Sequence, residues 1–262
     1  MSSLDYPALI AALGPAALRF DVDAVAECES TNTLLLDRAE TGAPSGLVIL
    51  ADSQSAGRGR RGRSWYGAPG DSLTFSLLWR FPPASTAPAA LSLAVGVGLA
   101  RALRHLGCAD LRLKWPNDLL IGTRKLGGVL VELQSGNVRG AVIGIGLNLR
   151  RPADMPAEVV ALATSLHEAG VNPSREVVLA TCLADLAAVF DTYAESGFAA
   201  LREEWMAAHA HQGQLVNISG SGAELSGRCM GVDADGALLL QTAGGLERVL
   251  AGDVSLRPFG GE

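Results

Sequence analysis

The spacing of apolar residues along the chain changes after residue 212. Before that point, stretches with apolar residues every three or four positions alternate with short β-branched runs, which is typical of a domain that mixes helices and strands. Predicted helices span 4–18, 33–40, 88–106, 156–168, 174–195 and 198–210, and predicted strands span 46–51, 72–80, 111–115, 118–121, 126–134 and 138–149. Ser135, Gly136 and Asn137 predict a tight turn between the last two strands.

The C-terminal part has a different pattern. Residues 214–258 form short apolar runs separated by glycine-containing turns at 219–222, 233–236 and 243–245. This spacing predicts a small all-β barrel or sandwich. We therefore predict an α+β domain over residues 1–212 and a small β domain over residues 213–262.

Composition limits where the protein works. Of its 262 residues, 48% are hydrophobic, enough for a packed core, but no uninterrupted apolar run reaches the roughly 18 residues of a membrane span. The first residues lack the basic flank and apolar block of a secretory signal, so we expect a cytoplasmic protein with no membrane association. The four cysteines are far apart, which favours reduced structural thiols over a metal or disulfide framework. His209 and His211 lie in an apparent linker, where we expect solvated side chains rather than metal ligands, and we expect no protein-bound metal site.

Charge distribution points to a specific anion. The net charge of −6 argues against a protein that coats nucleic acid through general electrostatics. Four arginines nevertheless fall between Arg58 and Arg63, with no acidic residue between Asp52 and Asp71. Guanidinium groups bind phosphate or carboxylate oxygens in pairs, and glycines let backbone N–H groups turn towards an anion. A solvated basic loop is the alternative.

The same loop contains the spacing Gly57-x-Gly59-x-x-Gly62, which matches a dinucleotide-binding fingerprint. That fingerprint needs a helix after the glycines and an acidic residue about twenty positions further on. Here residues 63–70 cannot start a helix cleanly, and no acid lies between Asp71 and Asp110. The sequence therefore excludes a dinucleotide fold and indicates phosphate binding by a loop that we expect to become ordered around its ligand.

Residues 51–65 closely resemble the ligand loop of biotin protein ligases. Three further segments agree with that family in order and spacing: Glu29-Ser30-Thr31-Asn32, Lys114-Trp115-Pro116-Asn117-Asp118 with Arg124-Lys125-Leu126-Gly127-Gly128, and Gly144-Ile145-Gly146-Leu147-Asn148-Leu149. The resemblance covers about residues 29–260. It implies a class II synthetase-like catalytic domain with a mixed β-sheet and flanking helices, followed by an SH3-like β-barrel that helps with ATP and carrier docking.

The resemblance also implies an activity. Family members join biotin to ATP, giving biotinyl-5′-adenylate and pyrophosphate, and pass biotin to one lysine of a biotin carboxyl carrier domain in a carboxylase. ATP and biotin are then the substrates, and Mg²⁺ is expected to arrive with ATP. The resemblance places biotin-binding residues at Ser30, Thr31, Asn32, Gln54, Arg58, Gly59, Arg60, Lys125, Gly127 and Gly128. It places ATP- or adenylate-binding residues at Gly57, Arg58, Arg60, Arg61, Arg63, Trp65, Lys125 and Asn148.

The resemblance also implies three catalytic residues. Lys125 would hold the biotin carboxylate and the α-phosphate, Asp118 would orient or deprotonate the incoming lysine, and Arg60 would retain the intermediate. Simpler roles stay open for the others: a helix cap for residues 30–32, solvent exposure for Arg61 and Arg63, a loop anchor for Trp65 and a strand-end turn for Asn148.

Some family members carry an N-terminal winged helix that represses biotin-synthesis genes. Only 29 residues precede Ser30, fewer than the about 60 such a domain needs, so we expect a ligase without repressor activity or nucleic-acid partner. We expect a monomer or weak homodimer, with an edge strand at 138–149 open to another chain. A lipoate or octanoate ligase or transferase of the same fold, a non-catalytic biotin sensor and a nucleic-acid-binding SH3-like protein are the alternatives.

Overall fold

The structure, a computed structural model, describes residues 4–81, 90–134, 140–151, 157–219, 225–250 and 255–258. Seven strands form its larger sheet: β1 (Asp21–Cys28), β2 (Leu47–Gln54), β3 (Ser72–Arg80), β4 (Leu111–Lys114), β5 (Asp118–Ile121), β6 (Arg124–Leu133) and β7 (Gly140–Asn148). Their order is β1-β2-β3-β7-β6-β5-β4. The β1–β2 pair is parallel and the other pairs are antiparallel, so the sheet is mixed.

Helices cover both faces of this sheet. They are α1 (Tyr6–Leu13), α2 (Thr31–Glu40), α3 (Leu91–His105), α4 (Ala157–Val160), α5 (Arg175–Ser196) and α6 (Arg202–Ala208). Because side chains alternate along a strand, Val48 and Leu50 of β2 enter the large core shared with α3 and α5. Leu47 and Ile49 point the other way, into the smaller core under α2.

Five further strands form an antiparallel C-terminal sheet. They are β8 (Leu215–Ser219), β9 (Leu225–Val232), β10 (Leu238–Thr242), β11 (Gly245–Val249) and β12 (Ser255–Pro258), in the order β11-β10-β9-β8-β12. The buried Trp115 indole donates to the carbonyl of Gly236 at 3.0 Å, which ties this sheet to the segment after β4. The predicted α+β class with a small β unit is confirmed, whereas the boundary at 212 stays a prediction.

Several predicted elements differ from the structure. β1 was not predicted, because this half-exposed edge strand carries three acids that hide its alternation. The helix predicted at 156–168 is wrong beyond α4, since the chain there pairs with β6: Lys125 N donates to Leu162 O and Thr164 N to Lys125 O. The helix predicted at 4–18 changes at Gly14 into a 3-10 turn, and the one at 198–210 begins as a 3-10 turn.

The edge position predicted for the strand at 138–149 is wrong. β7 pairs with β3 on one side and β6 on the other, so its backbone groups are already used within the sheet. The turn predicted at 135–137 lies outside the described residues, as do the first positions of the helix predicted from residue 88.

The prediction that His209 and His211 are solvated is also wrong. Both are buried, at 6% and 7% exposure, and the His209 ring packs on Trp205 with ring centroids 4.5 Å apart. Burial lowers the pKa of both imidazoles to about 4, and the nearby Lys114 charge contributes to the lowering at His211. The apparent linker is therefore part of the core.

Among the described helices, α5 alone has the length and apolar composition of a membrane span, which the search for uninterrupted runs overlooked. Just over half of its apolar window, 56%, is buried inside the protein. Gly98 of α3 lets the two helices approach closely, because a side chain there would press on Leu186 of α5. α5 thus has the packing of a core helix.

Candidate active site

A cavity open to solvent lies between the start of α2, the arginine loop (residues 57–65) and strands β6 and β7. The predicted site residues that line it are Ser30, Thr31, Asn32, Gln54, Arg58, Gly59, Arg60, Trp65, Lys125 and Gly128. Four chain segments that are distant in sequence therefore meet at one site.

The arginine loop closes on itself. Trp65 N donates to Gly57 O at 2.9 Å and Gly59 N donates to Arg63 O at 2.7 Å. Gly57 must be a glycine, because a Cβ there would lie 2.7 Å from the Trp65 carbonyl oxygen. Arg61 adopts a left-handed backbone with φ of 61°, so the loop turns back before any helix can form. This geometry explains why the glycine spacing does not make a dinucleotide site.

The α2 end of the cavity is lined by neutral polar groups and by Arg58, which donates to Thr33 Oγ1 at 3.3 Å. Gln54 Oε1 accepts from the backbone N of Thr31 at 2.8 Å, and the Ser76 hydroxyl lies 2.7 Å from the Thr31 hydroxyl. Ser30 occupies the N-cap of α2, yet its side chain makes no capping hydrogen bond. Its hydroxyl therefore lines the cavity instead of serving the helix.

Charged groups lie at the opposite end. Lys125 Nζ is 2.6 Å from Asp118 Oδ1, across the β5–β6 pair. Arg60 Nη1 donates to Asn117 Oδ1 at 3.2 Å, and Asn117 Nδ2 donates to Val129 O at 2.8 Å. Gly128 gives the Lys125 side chain its room, because a Cβ would lie 3.1 Å from Nζ.

A second cavity, also open to solvent, shares with the first the wall formed by Gly59, Arg60, Trp65, Asn117 and Lys125. The second cavity is additionally lined by Arg61, Arg63, Lys114 and Asp118. One carboxylate thus faces five cationic side chains, so the space is strongly electropositive and suits a polyanion.

Trp65 is anchored between the two cavities. Its indole N–H donates to Thr74 Oγ1 at 3.2 Å, and its ring lies so close to Gly146 of β7 that a Cβ there would overlap it. The loop-anchor role predicted for Trp65 is present in the structure, and the residue still lines both cavities.

Three predicted residues do not line either cavity: Gly57, Gly127 and Asn148. A Cβ at Gly127 would overlap the β7 backbone at Gly146, so its missing side chain makes room for strand pairing, and a biotin contact at Gly127 stays a prediction. Asn148 is buried, and its Nδ2 donates to Thr164 O at 2.9 Å, which fixes the segment after α4.

Sequence reasoning missed Glu132 and Ser76. Glu132 bonds to both Arg58 and Asn32 at 2.7 Å, although the two lie far from it in the chain. Strand alternation carried a signal, since Gly128, Leu130 and Glu132 occupy one face of β6. Nothing local indicated that this face meets the arginine loop.

Comparison with known proteins gives the family. Residues 25–148 match the family model described as "Biotin/lipoate A/B protein ligase family". The chain is 36% identical over 231 residues to the "Bifunctional ligase/repressor BirA" of Escherichia coli (strain K12), covering 87% of this chain and 72% of that protein. The chain belongs to the biotin protein ligase family. The resemblance read from the four segments is thereby confirmed.

Further comparisons extend the match to the C-terminal part of the chain. Residues 211–257 match the "Biotin protein ligase C terminal domain". The chain is 34% identical over 248 residues to the biotin–[acetyl-CoA-carboxylase] ligase of Paracoccus denitrificans, covering 90% of this chain and all of that protein. A solved structure, "Biotin protein ligase from Aquifex aeolicus in complex with biotin and ATP", superposes with a TM-score of 0.81 at 30% identity, covering 91% of this chain and 99% of that one.

Proposed function

We propose that this biotin protein ligase condenses biotin with ATP to biotinyl-5′-adenylate and transfers the biotinyl group to a lysine of a biotin carboxyl carrier domain. The observation that carries the proposal is the wall between the two cavities, which contains Lys125 and Arg60, with Asp118 paired to Lys125 on the side of the second cavity. One cavity has a polar end at the start of α2, with Arg58 beside it, suited to the ureido ring of biotin. The other is electropositive and suited to a triphosphate.

In the first step, a carboxylate oxygen of biotin attacks the α-phosphorus of ATP, and pyrophosphate leaves. Attack of one anion on another needs cations that offset the repulsion and stabilise the charge that develops on the phosphoryl oxygens. Lys125 and Arg60 are placed for this because both line both cavities. Arg61 and Arg63 line only the second cavity, where the leaving pyrophosphate would lie.

In the second step, the amine of the carrier lysine attacks the acyl carbon of the mixed anhydride, and AMP leaves. The amine must lose a proton, and Asp118, which lines the second cavity beside Lys125, is the carboxylate that can orient the amine or accept that proton. Lys125, 2.6 Å away, stays with the phosphate that departs as AMP.

The nucleotide has two further candidate contacts. The Trp65 ring offers a surface on which adenine can stack. Asn148 is the second candidate: its buried Oδ1 has no hydrogen-bond partner among the described residues, but the residue lines neither cavity, so a contact with adenine would require its surroundings to rearrange. Mg²⁺ would arrive on the triphosphate and neutralise its charge. The side-chain oxygens of Asn117 and Asp118 are of the kind that Mg²⁺ prefers as ligands. Asn117 Oδ1 already accepts from Arg60 and Asp118 already pairs with Lys125, so phosphate and water oxygens would supply most of the Mg²⁺ ligands.

The proposed chemistry also indicates the acceptor protein and the place of the reaction. The acceptor is the carrier domain of a biotin-dependent carboxylase, and the reaction takes place where ATP and carboxylase meet, in the cytoplasm. The net charge of −6 supports action without a nucleic-acid partner. We propose a monomer or weak homodimer, which sedimentation at increasing protein concentration tests.

The activity is tested by incubating the chain with ATP, Mg²⁺, biotin and a carrier domain, with lipoate replacing biotin in a parallel reaction. We expect biotinyl-adenylate and one biotinylated carrier lysine, and no lipoyl transfer. The C-terminal domain match favours biotin over lipoate, because its description names biotin ligases alone. Transfer of lipoate in preference to biotin would overturn the assignment.

Lys125→Ala tests the mechanism. We expect adenylate synthesis to fall at least about a hundredfold, because a cation on the reacting oxygens contributes about that factor or more. The matched control is Arg124→Ala, which removes the neighbouring cation that pairs with Glu168 outside the cavities. Near-normal synthesis by Lys125→Ala, measured as ATP–pyrophosphate exchange, would remove Lys125 from the mechanism.

A further inference from the structure

Glu132 sits behind the first cavity. It shares a face of β6 with Gly128 and Leu130, which line the cavity, but it does not line the cavity itself. Its two carboxylate oxygens have different partners: Oε1 accepts from Arg58 Nη2 at 2.7 Å and Oε2 accepts from Asn32 Nδ2 at 2.7 Å. The residue thus joins the arginine loop to the start of α2.

The hydrogen bonds continue beyond Asn32 and return to the loop. Asn32 Oδ1 accepts from the Ser76 hydroxyl at 2.6 Å, and Ser76 lies 2.7 Å from the Thr31 hydroxyl. Thr31 in turn donates through its backbone N to Gln54 Oε1 at 2.8 Å. Gln54 ends β2 just before the arginine loop begins, so the network forms a ring around the α2 end of the cavity.

Glu132 sets the direction of the bonds in this ring. An ionised carboxylate only accepts, so the Asn32 amide must turn Nδ2 towards Glu132 and Oδ1 towards Ser76. The Ser76 hydroxyl then donates towards Asn32 Oδ1 at 2.6 Å, with Thr31 Oγ1 as a second acceptor at 2.7 Å. The Thr31 hydroxyl in turn donates to Gln54 Oε1 at 3.2 Å. Gly144 confines the Asn32 amide on the sheet side, because a Cβ there would overlap it.

We propose that Glu132 is a positioning residue for biotin: it holds Arg58 at the cavity wall and, through Asn32, fixes the polar groups that face the ureido ring. The inference rests on the proposed function. It assigns Asn32 a supporting part, since both ends of its amide are already occupied within the ring. It also predicts an effect confined to biotin, because Arg58 and Asn32 line the first cavity and not the second.

Glu132→Gln tests this with little change in shape. Its amide cannot accept from Arg58 and Asn32 together, because the nitrogen that would face Asn32 Nδ2 is a donor. We expect the KM for biotin in adenylate synthesis to rise about tenfold, the loss typical of one charge-assisted hydrogen bond. The KM for ATP should stay within about twofold, and thermal unfolding should stay close to that of the unsubstituted chain.

Glu168→Gln is the matched control. Glu168 also pairs with two arginines, Arg124 and Arg151, and 23% of its side chain is exposed, the same fraction as for Glu132. It lies outside both cavities, so the same loss of charge should leave both KM values unchanged.

A reciprocal substitution provides the decisive test. Asn32→Asp alone places two carboxylates against each other and should raise the KM for biotin further than Glu132→Gln does. The double variant combines Glu132→Gln with Asn32→Asp. The amide nitrogen introduced at position 132 then donates to the carboxylate introduced at position 32, and the Ser76 hydroxyl donates to the other oxygen of that carboxylate. The amide oxygen at position 132 remains an acceptor for Arg58. We expect the KM for biotin to return to within about threefold of the original value, since donors and acceptors match again.

An unchanged KM for biotin in Glu132→Gln, an equal rise in both KM values, or additive losses in the double variant would each overturn the inference. These outcomes presuppose that the unsubstituted chain forms biotinyl-adenylate. Failure of that reaction would instead count against the proposed function, so the two failures are distinguishable.

Discussion

The chain contains only two lysines, Lys114 and Lys125, and both line the electropositive cavity. Biotinyl-adenylate acylates amines, whereas guanidinium groups stay protonated and do not act as acceptors. Apart from the histidines, every other cationic side chain is an arginine. The enzyme therefore has few amines of its own that biotinyl-adenylate could acylate. Lys125 is further held by Asp118. At the scale of single residues, the choice of cation therefore matters as much as the charge.

Arg60→Gly should release the intermediate. Arg60 belongs to the wall between the cavities and reaches Asn117, so its loss opens that wall. Without a carrier domain, we expect labelling of a lysine-containing bystander protein to increase at least about tenfold, as expected for the loss of one or more charge-assisted contacts. Mass spectrometry of tryptic peptides from the bystander protein measures the extent of biotin labelling.

Arg61→Gly is the control for this experiment. Arg61 already has the left-handed backbone that glycine favours, so the loop should keep its conformation. Labelling that stays confined to the carrier lysine in Arg60→Gly would mean that Arg60 does not retain the adenylate. Any label on the ligase itself should fall on Lys114, Lys125 or the terminal amine.

At the scale of elements, the glycines of β6 and β7 accommodate the protein's own side chains. Gly144 makes room for Asn32, Gly146 for Trp65 and Gly128 for Lys125. The resemblance had implied a biotin contact for one of these three glycines, Gly128. Their structural effect is to let functional side chains from α2, the arginine loop and β6 lie flat against the sheet, which sets the depth of the cavity.

Gly146→Ala should therefore disturb the loop without breaking the sheet. The added methyl overlaps the Trp65 ring, which must move and lose its bond to Thr74. We expect adenylate synthesis to fall about tenfold or more, as for other displacements of a positioned group by about 1 Å. Tryptophan fluorescence should change in parallel.

The control for Gly146→Ala is Gly244→Ala in the C-terminal sheet. A Cβ there meets only Thr242 Oγ1, at an ordinary contact distance of 3.6 Å. Unchanged fluorescence and synthesis in Gly146→Ala would show that Trp65 can leave β7 without consequence for the site.

At the scale of the whole molecule, the two sheets meet around buried polar groups. Trp115 donates to Gly236, Arg202 Nε donates to Val232 O at 2.6 Å, and Ala210 N donates to Leu113 O at 2.8 Å. His209 and His211 lie beside the last of these bonds. Their neutral forms are required there, because burial lowers the pKa of each to about 4.

This burial makes stability depend on pH. An unfolded histidine has a pKa of about 6.5, so between pH 6.5 and pH 4 the unfolded chain binds more protons than the folded one. The contribution to the unfolding free energy is fully present above pH 6.5. It falls as the pH is lowered towards 4, at up to about 1.4 kcal/mol per pH unit for each imidazole. Urea denaturation at several pH values measures the slope of the unfolding free energy against pH.

His209→Phe keeps a ring on Trp205 but cannot take a proton, so its slope should be shallower than that of the unsubstituted chain. His167→Gln, at an exposed position, is the control and should keep the full slope. Equal slopes in His209→Phe and the unsubstituted chain would place the titrating groups elsewhere.

Features that depend on neighbours in the chain could be predicted from the sequence. The helices at 33–40 and 174–195, the strand at 72–80 and the glycine-rich turns follow from local periodicity and from turn chemistry. The concentration of four arginines between Arg58 and Arg63 is likewise visible in the sequence. The four spaced segments were enough to indicate the family. None of this needed long-range contacts.

Only the tertiary structure decided which distant residues meet. It placed β7 at the centre of the sheet, replaced most of the helix predicted at 156–168 by pairing with β6, and buried His209 and His211. It also brought Glu132 to Asn32 and Arg58, which are 100 and 74 positions away. The physical reason is that strand order and side-chain burial depend on the free energy of the whole sheet and its covering helices, and no local pattern encodes that sum.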